Sequence, residues 1–272
     1  MSDYIQELTV AKQAAQAAAQ IVREFRENNS FEINYKGKND LVTDADVASE
    51  KKILAMIGDQ FPDDQVLAEE SATEKILPVE RTWLIDPIDG TTNFAHGFPV
   101  FCVSIALWEQ QQPKVGLVLE VSSGECFHAV TGGGAFLNEQ PIQVSTIKEG
   151  ADAMIGTGFP YNDLSLITSY LKLFEWLLHN AQAVRRPGAA AYDLCCVAAG
   201  RFDGFYEYSL NPWDVGAASL IVKEAGGVIS DWEGGDDWLF GQRVIAGNPD
   251  IQAFLLEAVQ QHFSEQQLER KG

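Results

Sequence analysis

The chain has 272 residues, enough for one large domain or two packed lobes with a substantial core. Hydrophobic residues make up 46% and charged residues 21% of the composition, as in ordinary globular proteins. Acidic residues outnumber lysine and arginine by 39 to 19, and the net charge of -20 argues against nonspecific nucleic-acid binding and against docking on anionic membranes, so we expect neither kind of partner.

The first predicted element is an alanine-rich amphipathic helix near the N-terminus. Its apolar residues recur on one face at Ile5, Leu8, Ala15, Val22 and Phe25. The segment lacks the basic start and continuous apolar centre of a secretion signal, and no run in the chain approaches membrane-spanning length. We therefore expect a cytoplasmic protein whose four cysteines are reduced and serve in packing.

A second helix is predicted to begin at a capping box, to continue through residues 47–57 and to be closed off by Pro62. Thr43 and Asp46 fit a capping box at its start, with Asp46 in the place usually taken by Glu or Gln. Asp46 therefore has a fully structural explanation when it is considered alone.

A short apolar strand over residues 66–68 then ends in two adjacent carboxylates, Glu69 and Glu70. Neighbouring side chains alternate between the faces of a strand, so at most one of the two points directly into a site. We therefore expect one of the two to be a metal ligand and the other to support the site.

The most informative motif is the run Asp86-Pro87-Ile88-Asp89-Gly90-Thr91, which follows an apolar strand over residues 83–85. Pro87 is expected to end that strand, because proline removes a backbone donor and fixes φ. Two carboxylates three residues apart at a strand edge suit Mg²⁺, which prefers a few carboxylate ligands and keeps positions open for water and phosphate oxygens. Gly90 permits close backbone approach, and residues 91–93 are suitable helix N-caps. The alternative is a turn whose acids are merely solvated.

Short strand-like runs follow at residues 100–108, 115–121, 125–130 and 135–144, with a glycine turn at 132–134, and they predict a largely antiparallel sheet. From residue 150 on, strands at 153–157, 183–185, 205–208, 228–231 and 244–246 alternate with helices at 164–179, 190–199, 213–225 and 251–263. The fold class is therefore mixed, α+β or α/β. We expect a single domain, residues 1–272, with lobes of about 1–150 and 151–272.

A further acid, Asp214, stands in the first turn of the helix that Asn211 is expected to cap. Alone, it is explained by the helix dipole, a contribution of about 0.3–1 kcal/mol. Four acids are now each predicted at the end of a strand or at the start of a helix: Glu69, Asp86, Asp89 and Asp214. Their mutual repulsion in one site would be costly, so such a cluster is best explained if cations occupy it. Because these acids come from both lobes, the site is expected between the lobes.

Five blocks of sequence occur in a recognisable order: Leu41-Val42-Thr43-Asp44-Ala45-Asp46, Glu69-Glu70-Ser71, residues 83–94, Gly188-Ala189-Ala190, and Asn211-Pro212-Trp213-Asp214 leading to Glu224-Ala225-Gly226-Gly227. Through them the chain resembles the inositol monophosphatase family of magnesium-dependent, lithium-sensitive phosphatases, most closely its bacterial members. The resemblance runs from about residue 5 to about residue 260. It implies a layered α-β-α-β-α sandwich of the sugar-phosphatase type, two or three Mg²⁺ ions per site and commonly a homodimer.

The resemblance also implies which residues hold the metal. Glu69, Asp86 and the backbone carbonyl of Ile88 would hold the first Mg²⁺ ion. Asp86, Asp89 and Asp214 would hold the second, so that Asp86 bridges the two ions.

The remaining implied roles concern the reaction and the substrate. The backbone of Gly90 and Thr91 would bind the phosphate, and the Thr91 hydroxyl, with Asp46 and Glu69, would orient and help deprotonate the attacking water. The residues that the resemblance places against the substrate are Gly90, Thr91, Gly188, Ala190, Glu207 and Asp214.

Two features depart from the family pattern. Ala189 stands where many relatives carry a hydroxyl, which bears on substrate preference and not on hydrolysis. Both Lys36 and Lys38 precede the capping box, and the spacing does not decide which of them matches the family's lysine. Separately, the pair Arg185-Arg186 fits an exposed or interface salt bridge, with contact to a second phosphate or to a partner as the alternative.

The sequence thus predicts a magnesium-dependent phosphomonoesterase acting on a small polyol or sugar phosphate, with myo-inositol 1-phosphate as the first candidate. Glu207 favours a hydroxyl-rich substrate, because a carboxylate accepts hydrogen bonds from hydroxyls and would repel a second phosphate. Histidinol phosphate, fructose 1,6-bisphosphate and adenosine 3′,5′-bisphosphate are alternative substrates on the same fold. A regulatory binding protein that keeps the fold and contacts a partner macromolecule is the alternative from a different class.

Overall fold

The computed structural model describes residues 4–28, 31–37, 40–72, 76–161 and 163–268. Its helices are α1 (Ile5–Asn28), α2 (Asp44–Gln60), α3 (Thr91–His96), α4 (Ile167–Asn180), α5 (Ala190–Ala198), α6 (Pro212–Glu224), α7 (Pro249–His262) and α8 (Glu265–Leu268), with a 3₁₀ turn at Gly150–Asp152. No helix within these ranges is long and apolar enough to cross a bilayer. Lys38 and the side chain of Lys36 lie outside the described residues.

The first half of the chain builds a seven-stranded sheet. Its strands, in spatial as well as chain order, are β3 (Gln65–Ala68), β4 (Thr82–Asp89), β5 (Cys102–Glu109), β6 (Gln112–Glu120), β7 (Cys126–Val130), β8 (Ala135–Leu137) and β9 (Gln140–Ile142). The pair β3–β4 is parallel and all other neighbours are antiparallel, which confirms the largely antiparallel sheet. A separate antiparallel hairpin precedes it, β1 (Ile33–Gly37) with β2 (Asp40–Thr43).

The second half of the chain builds a mixed five-stranded sheet with the order β11-β10-β12-β14-β13. The strands are β10 (Met154–Thr157), β11 (Ala183–Arg185), β12 (Gly204–Tyr208), β13 (Val228–Ser230) and β14 (Arg243–Gly247). β10 runs parallel to both β11 and β12, whereas β12, β14 and β13 are antiparallel to one another in turn. The strands of one sheet precede residue 150 in the sequence and those of the other follow it. The lobe boundary at this residue stays a prediction.

The helices and sheets stack in five layers. α1 and α2 cover the outer face of the seven-stranded sheet, α5 and α6 lie between the sheets, and α4 and α7 cover the outer face of the five-stranded sheet. Strand β4 shows why both faces are buried, since Trp83 and Ile85 enter the core under α1 while Leu84 enters the core around α6. The expected α-β-α-β-α architecture is confirmed.

Strand β4 continues through Pro87 to Asp89, so the prediction that Pro87 ends the strand was wrong. The pairing of β4 with β5 shifts register between Asp86 and Asp89, and Pro87 lies inside this irregular segment. Proline is tolerated there because an irregular pairing leaves a residue without its ladder hydrogen bond.

Three local expectations also differ from the structure. The single strand predicted over residues 135–144 is the hairpin β8–β9, which turns at Asn138 and Glu139, both with positive φ. Helix α3 begins at Thr91, and the capping position is Gly90 with φ 92°, in place of the expected residues 91–93. On α1, Ile5 is 55% exposed and does not join the buried face.

Candidate active site

The irregular end of β4 directs two carboxylates into one cavity. In a regular strand, residues three positions apart point to opposite faces, but Asp86 and Asp89 both line a cavity of about 380 Å³ because the register shifts between them. Asp86 is 2% exposed, and its Oδ1 accepts a hydrogen bond from the Ile88 N–H at 3.0 Å. The strand irregularity that the sequence did not predict is therefore what places the motif's acids together.

Asp89 joins the two halves of the molecule. Its Oδ2 accepts a hydrogen bond of 2.7 Å from the backbone N–H of Ala191 in the first turn of α5, and the Cys102 thiol donates to the same oxygen at 3.6 Å. Burial raises the pKa of Asp89 to about 6, opposed by these hydrogen bonds and by the Arg186 charge. The carboxylate is thus fixed between β4 and α5.

The other predicted ligands reach the same cavity from separate elements. Glu69 follows β3 and lines the cavity, whereas its neighbour Glu70 donates its backbone N–H to Glu50 at 2.8 Å. Asp214 lines the cavity from the first turn of α6, where its Oδ2 also accepts the Asn211 N–H at 2.7 Å and completes a capping box. Asp214 therefore both completes the cap of α6 and lines the cavity.

Asp46 lies behind the cavity wall and reaches the site through Thr91. The Thr91 hydroxyl is 3.3 Å from Asp46 Oδ1 and 3.0 Å from the carbonyl oxygen of Ile88. The predicted capping box is confirmed, since Asp46 Oδ2 accepts both the N–H and the hydroxyl of Thr43, at 2.8 and 2.6 Å. Burial raises the pKa of Asp46 to about 6, against the lowering effect of the Thr43 hydrogen bonds.

The acids of the cavity act on one another. Burial raises the pKa of Asp86 well above its usual range, and the negative charges of Glu69, Asp89 and Asp214 raise it further. Such repulsion is relieved when a divalent cation is bound among the carboxylates, because the cation becomes the largest local charge. The electrostatics of the chain itself therefore fit a cation at this position.

The donor set also fits the chemistry of Mg²⁺. Carboxylate oxygens and the Ile88 carbonyl are hard ligands of the type that Mg²⁺ prefers. Across the described ranges, no group of three or more histidine, cysteine or acidic side chains is arranged closely enough to hold a metal ion without further ligands or movement.

The residues expected near the alcohol part of the substrate line the same cavity, beside Asp89 and Gly90. Gly188, Ala189 and Ala190 line it at the start of α5, together with Glu207 from β12. Burial raises the pKa of Glu207 to about 8, opposed by the Arg186 charge and reinforced by the charges of other acids. All predicted site residues except Asp46 therefore line this single cavity.

Other residues of the cavity were not found from the sequence. The segment 158–161 after β10 forms one side of the cavity, and no motif in the sequence marks it. Arg186 was expected in an exposed or interface salt bridge, with contact to a second phosphate or to a partner as the alternative. It is exposed and lines the cavity, and among the described residues none forms an ion pair with it. Asn93, expected as a helix cap, instead donates its side-chain amide to the carbonyl oxygens of Val100 and Pro187, at 2.7 and 3.0 Å, and so ties α3 to the α5 approach.

Comparison with known proteins decides the family. The sequence model of the inositol monophosphatase family matches residues 3–264. The chain belongs to the inositol monophosphatase family. This confirms the resemblance carried by the five sequence blocks.

Individual relatives of this inositol monophosphatase family member carry two kinds of name. An inositol monophosphatase of Dictyostelium discoideum is 40% identical over 250 residues, which cover 88% of this chain and 92% of the relative. A protein of Neisseria meningitidis serogroup B named putative Nus factor SuhB is 38% identical over 254 residues, covering 93% and 97%. The crystal structure of the extragenic suppressor protein suhB from Bartonella henselae superimposes with a TM-score of 0.90 at 37% identity, covering 95% and 100%.

Proposed function

We propose that the protein is a magnesium-dependent phosphomonoesterase that releases phosphate from a small polyol or sugar phosphate, with myo-inositol 1-phosphate as the preferred candidate. The observation that supports this most strongly is the cavity in which Glu69, Asp86, Asp89 and Asp214 meet, with three of these charges raising the pKa of the fourth. Family membership supports the phosphatase class.

In this proposal the metal ligands are Glu69, Asp86 and the Ile88 carbonyl for one ion, and Asp86, Asp89 and Asp214 for another. When bound, Mg²⁺ would neutralise the phosphate, lower the pKa of a water and stabilise the leaving alkoxide. The chain's part is to fix the ligand oxygens. The hydrogen bond from Ile88 N–H orients Asp86, and that from Ala191 N–H orients Asp89.

Proton transfer from the attacking water is assigned to Thr91 and Asp46, with Glu69 beside them in the proposal. The Thr91 hydroxyl lies between the Asp46 carboxylate and the Ile88 carbonyl, so it can accept a hydrogen bond from water while donating its own proton to an oxygen of the chain. The backbone N–H groups at Gly90 and Thr91, at the start of α3, would bind the phosphate oxygens.

The alcohol part of the substrate is assigned to the end of the cavity formed by Gly188, Ala190 and Glu207, with Asp214 alongside. The methyl group of Ala189 offers no hydroxyl to a substrate, so backbone groups and Glu207 are assigned polar contacts on this side. A homodimer, a cytoplasmic location and sensitivity to lithium belong to the same proposal by analogy with the family.

A second candidate function follows from the relatives' names. Several matched proteins, among them that of Escherichia coli K12 at 36% identity, are named Nus factor SuhB, so this chain could also act as a Nus factor. Its charge of -20 then favours a protein partner over direct contact with nucleic acid. A variant without metal ligands tests whether the two roles separate, because in this proposal only hydrolysis requires the metal.

The test is phosphate release from a panel of inositol, sugar, histidinol and nucleotide phosphates, with Mg²⁺ and with excess chelator. We expect activity that requires Mg²⁺ and that falls by about 10²-fold or more in Asp89→Asn, through loss of metal-assisted charge stabilisation. Equal turnover in chelator would refute the mechanism. A strong preference for a bisphosphate would leave the mechanism standing and overturn the substrate assignment.

A further inference from the structure

Two glycines that line the cavity make room for an acidic and a basic side chain. A Cβ atom at Gly158 would clash with the carboxylate of Glu207, and a Cβ atom at Gly188 would clash with Nη1 of Arg186. Gly188 also has φ +99°, a conformation that side-chain-bearing residues rarely adopt. The carboxylate and the guanidinium group therefore each lie directly against backbone, on two segments that line the same cavity.

The guanidinium group of Arg186 is held by stacking and not by an ion pair. Its Cζ atom lies 5.3 Å from the centre of the Tyr161 ring, within the range of a cation–π contact. Within the described part of the chain, no carboxylate lies at ion-pair distance from it. The five N–H donors of the group are therefore available to a ligand in the cavity.

The neighbouring arginine behaves differently. Both arginines are exposed, but Arg185, at the end of β11, donates its Nη1 to the carbonyl oxygen of Val184 at 3.0 Å and does not line the cavity. The two adjacent side chains thus share a charge and a sequence environment but only Arg186 faces the cavity. This difference provides a matched control.

The charges around Arg186 indicate what kind of ligand it can serve. The Arg186 charge opposes the rise that burial causes in the pKa values of Asp89, Glu207 and the buried Asp193, so all three acids lie within its electrostatic reach. Arg186 offers only donors, whereas the Glu207 carboxyl group offers acceptor oxygens in the same cavity. A hydroxyl-rich group suits this pair, because its oxygens can accept from Arg186 while its hydroxyls donate to Glu207.

We propose that Arg186 is a specificity-determining residue of the substrate site, which donates hydrogen bonds to one hydroxyl oxygen of a polyol monophosphate while Glu207 accepts from an adjacent hydroxyl. The inference rests on the proposed phosphatase function and deepens it, since it adds Arg186 to the residues that select the substrate. Tyr161 and Gly188 position the guanidinium group for this contact.

The test compares Arg186→Gln with wild-type protein on two substrates, myo-inositol 1-phosphate and p-nitrophenyl phosphate, which has no hydroxyls to recognise. We expect the KM for myo-inositol 1-phosphate to rise about tenfold with kcat changed less than about twofold, and the kinetics with p-nitrophenyl phosphate to stay within about twofold. Arg186→Lys is expected to recover part of the loss, because it keeps the charge but not the planar donors. The control, Arg185→Gln, should leave the ratio between the substrates unchanged.

Three outcomes overturn the inference. In the first, Arg186→Gln changes the kinetics with both substrates equally. In the second, Arg185→Gln reproduces the effect of Arg186→Gln. In the third, the Arg186 variant loses turnover of fructose 1,6-bisphosphate more than that of myo-inositol 1-phosphate, which would assign the arginine to a second phosphate. Binding of myo-inositol 1-phosphate, measured by calorimetry, keeps the result separate from the proposed function. If wild-type protein hydrolyses neither substrate, the phosphatase proposal fails, and a tenfold weaker affinity in the variant still supports the role of Arg186 in binding.

Discussion

Replacing Asp86 by asparagine should change thermal stability in opposite directions with and without magnesium. The side chain is 2% exposed, and burial together with Glu69, Asp89 and Asp214 raises its pKa. Asparagine removes the charge but keeps the oxygen that accepts the Ile88 N–H. In chelator, Asp86→Asn should therefore melt above wild type, and in Mg²⁺ it should melt below wild type.

The magnitude follows from the charges involved. Two carboxylates about 5 Å apart repel by about 3 kcal/mol at an effective dielectric constant of about 20, so removing Asp86 should raise the free energy of unfolding in chelator by about 1–3 kcal/mol. A carboxyl whose folded-state pKa is raised costs stability as the pH rises from its unfolded pKa to its folded pKa, so the gain should grow over that interval and vanish in acid. Conversely, Mg²⁺ at about 100 times its Kd stabilises wild type by about 2.7 kcal/mol, or about 5–10 °C in Tm for a chain of this size.

The assay is a melting series for both proteins in chelator and in a magnesium titration. Asp63→Asn is a matched control, because Asp63 is exposed and lies outside the cavity, so its removal should leave the magnesium response intact. If magnesium does not raise the wild-type Tm, or if Asp86→Asn lowers Tm by the same amount in both conditions, the reasoning about repulsion and metal binding is wrong.

Three further results are expected. Gly158→Ala should raise KM about as much as loss of the Glu207 carboxylate does, because the added methyl group displaces that carboxylate. The variant should lose little stability. Steady-state kinetics check the first expectation and urea unfolding of the same sample checks the second. Gly116→Ala should lower the free energy of unfolding by about 1–3 kcal/mol, because its Cβ would meet a backbone carbonyl of α6. Gly58→Ala, on the open side of α2, should raise the free energy of unfolding by about 0.5–1 kcal/mol. Urea unfolding of both variants measures these changes. With saturating Mg²⁺, kcat should fall about tenfold per pH unit once the pH drops below the pKa of Asp46, which burial raises above its usual range, because the protonated carboxyl can no longer accept a proton; an acid limb that is unchanged in Asp46→Asn would remove Asp46 from proton transfer.

The parts of the fold that depend on local chemistry could be predicted from the sequence. The capping boxes at Thr43 and Asn211 are formed within three residues of each cap, so the starts of α2 and α6 were correctly placed. Most strands between residues 100 and 130 were also predicted, since their apolar runs are bounded by turn residues. The convergence of the four acids was inferred from their number and from the family resemblance, and the structure brings them to one cavity.

The features that could not be predicted depend on distant parts of the chain. The passage of β4 through Pro87 depends on how β4 pairs with β5, which a strand's own residues do not determine. The position of Arg186 in the cavity depends on the backbone of Gly188 and on the ring of Tyr161, which no motif marks. The sequence placed Gly188, Ala190 and Glu207 at the substrate site through the family resemblance, and it left the role of Arg186 open.

The most direct test of the central claim is the position of a bound divalent ion. Manganese can replace magnesium at hard oxygen sites and can be located in crystals by its anomalous scattering. We predict anomalous peaks within bonding distance of the Asp86 carboxylate, between it and the carboxylates of Glu69, Asp89 and Asp214. A cavity without a peak at saturating manganese, or a peak only at acids elsewhere on the surface, would contradict the proposal that these side chains form a metal site.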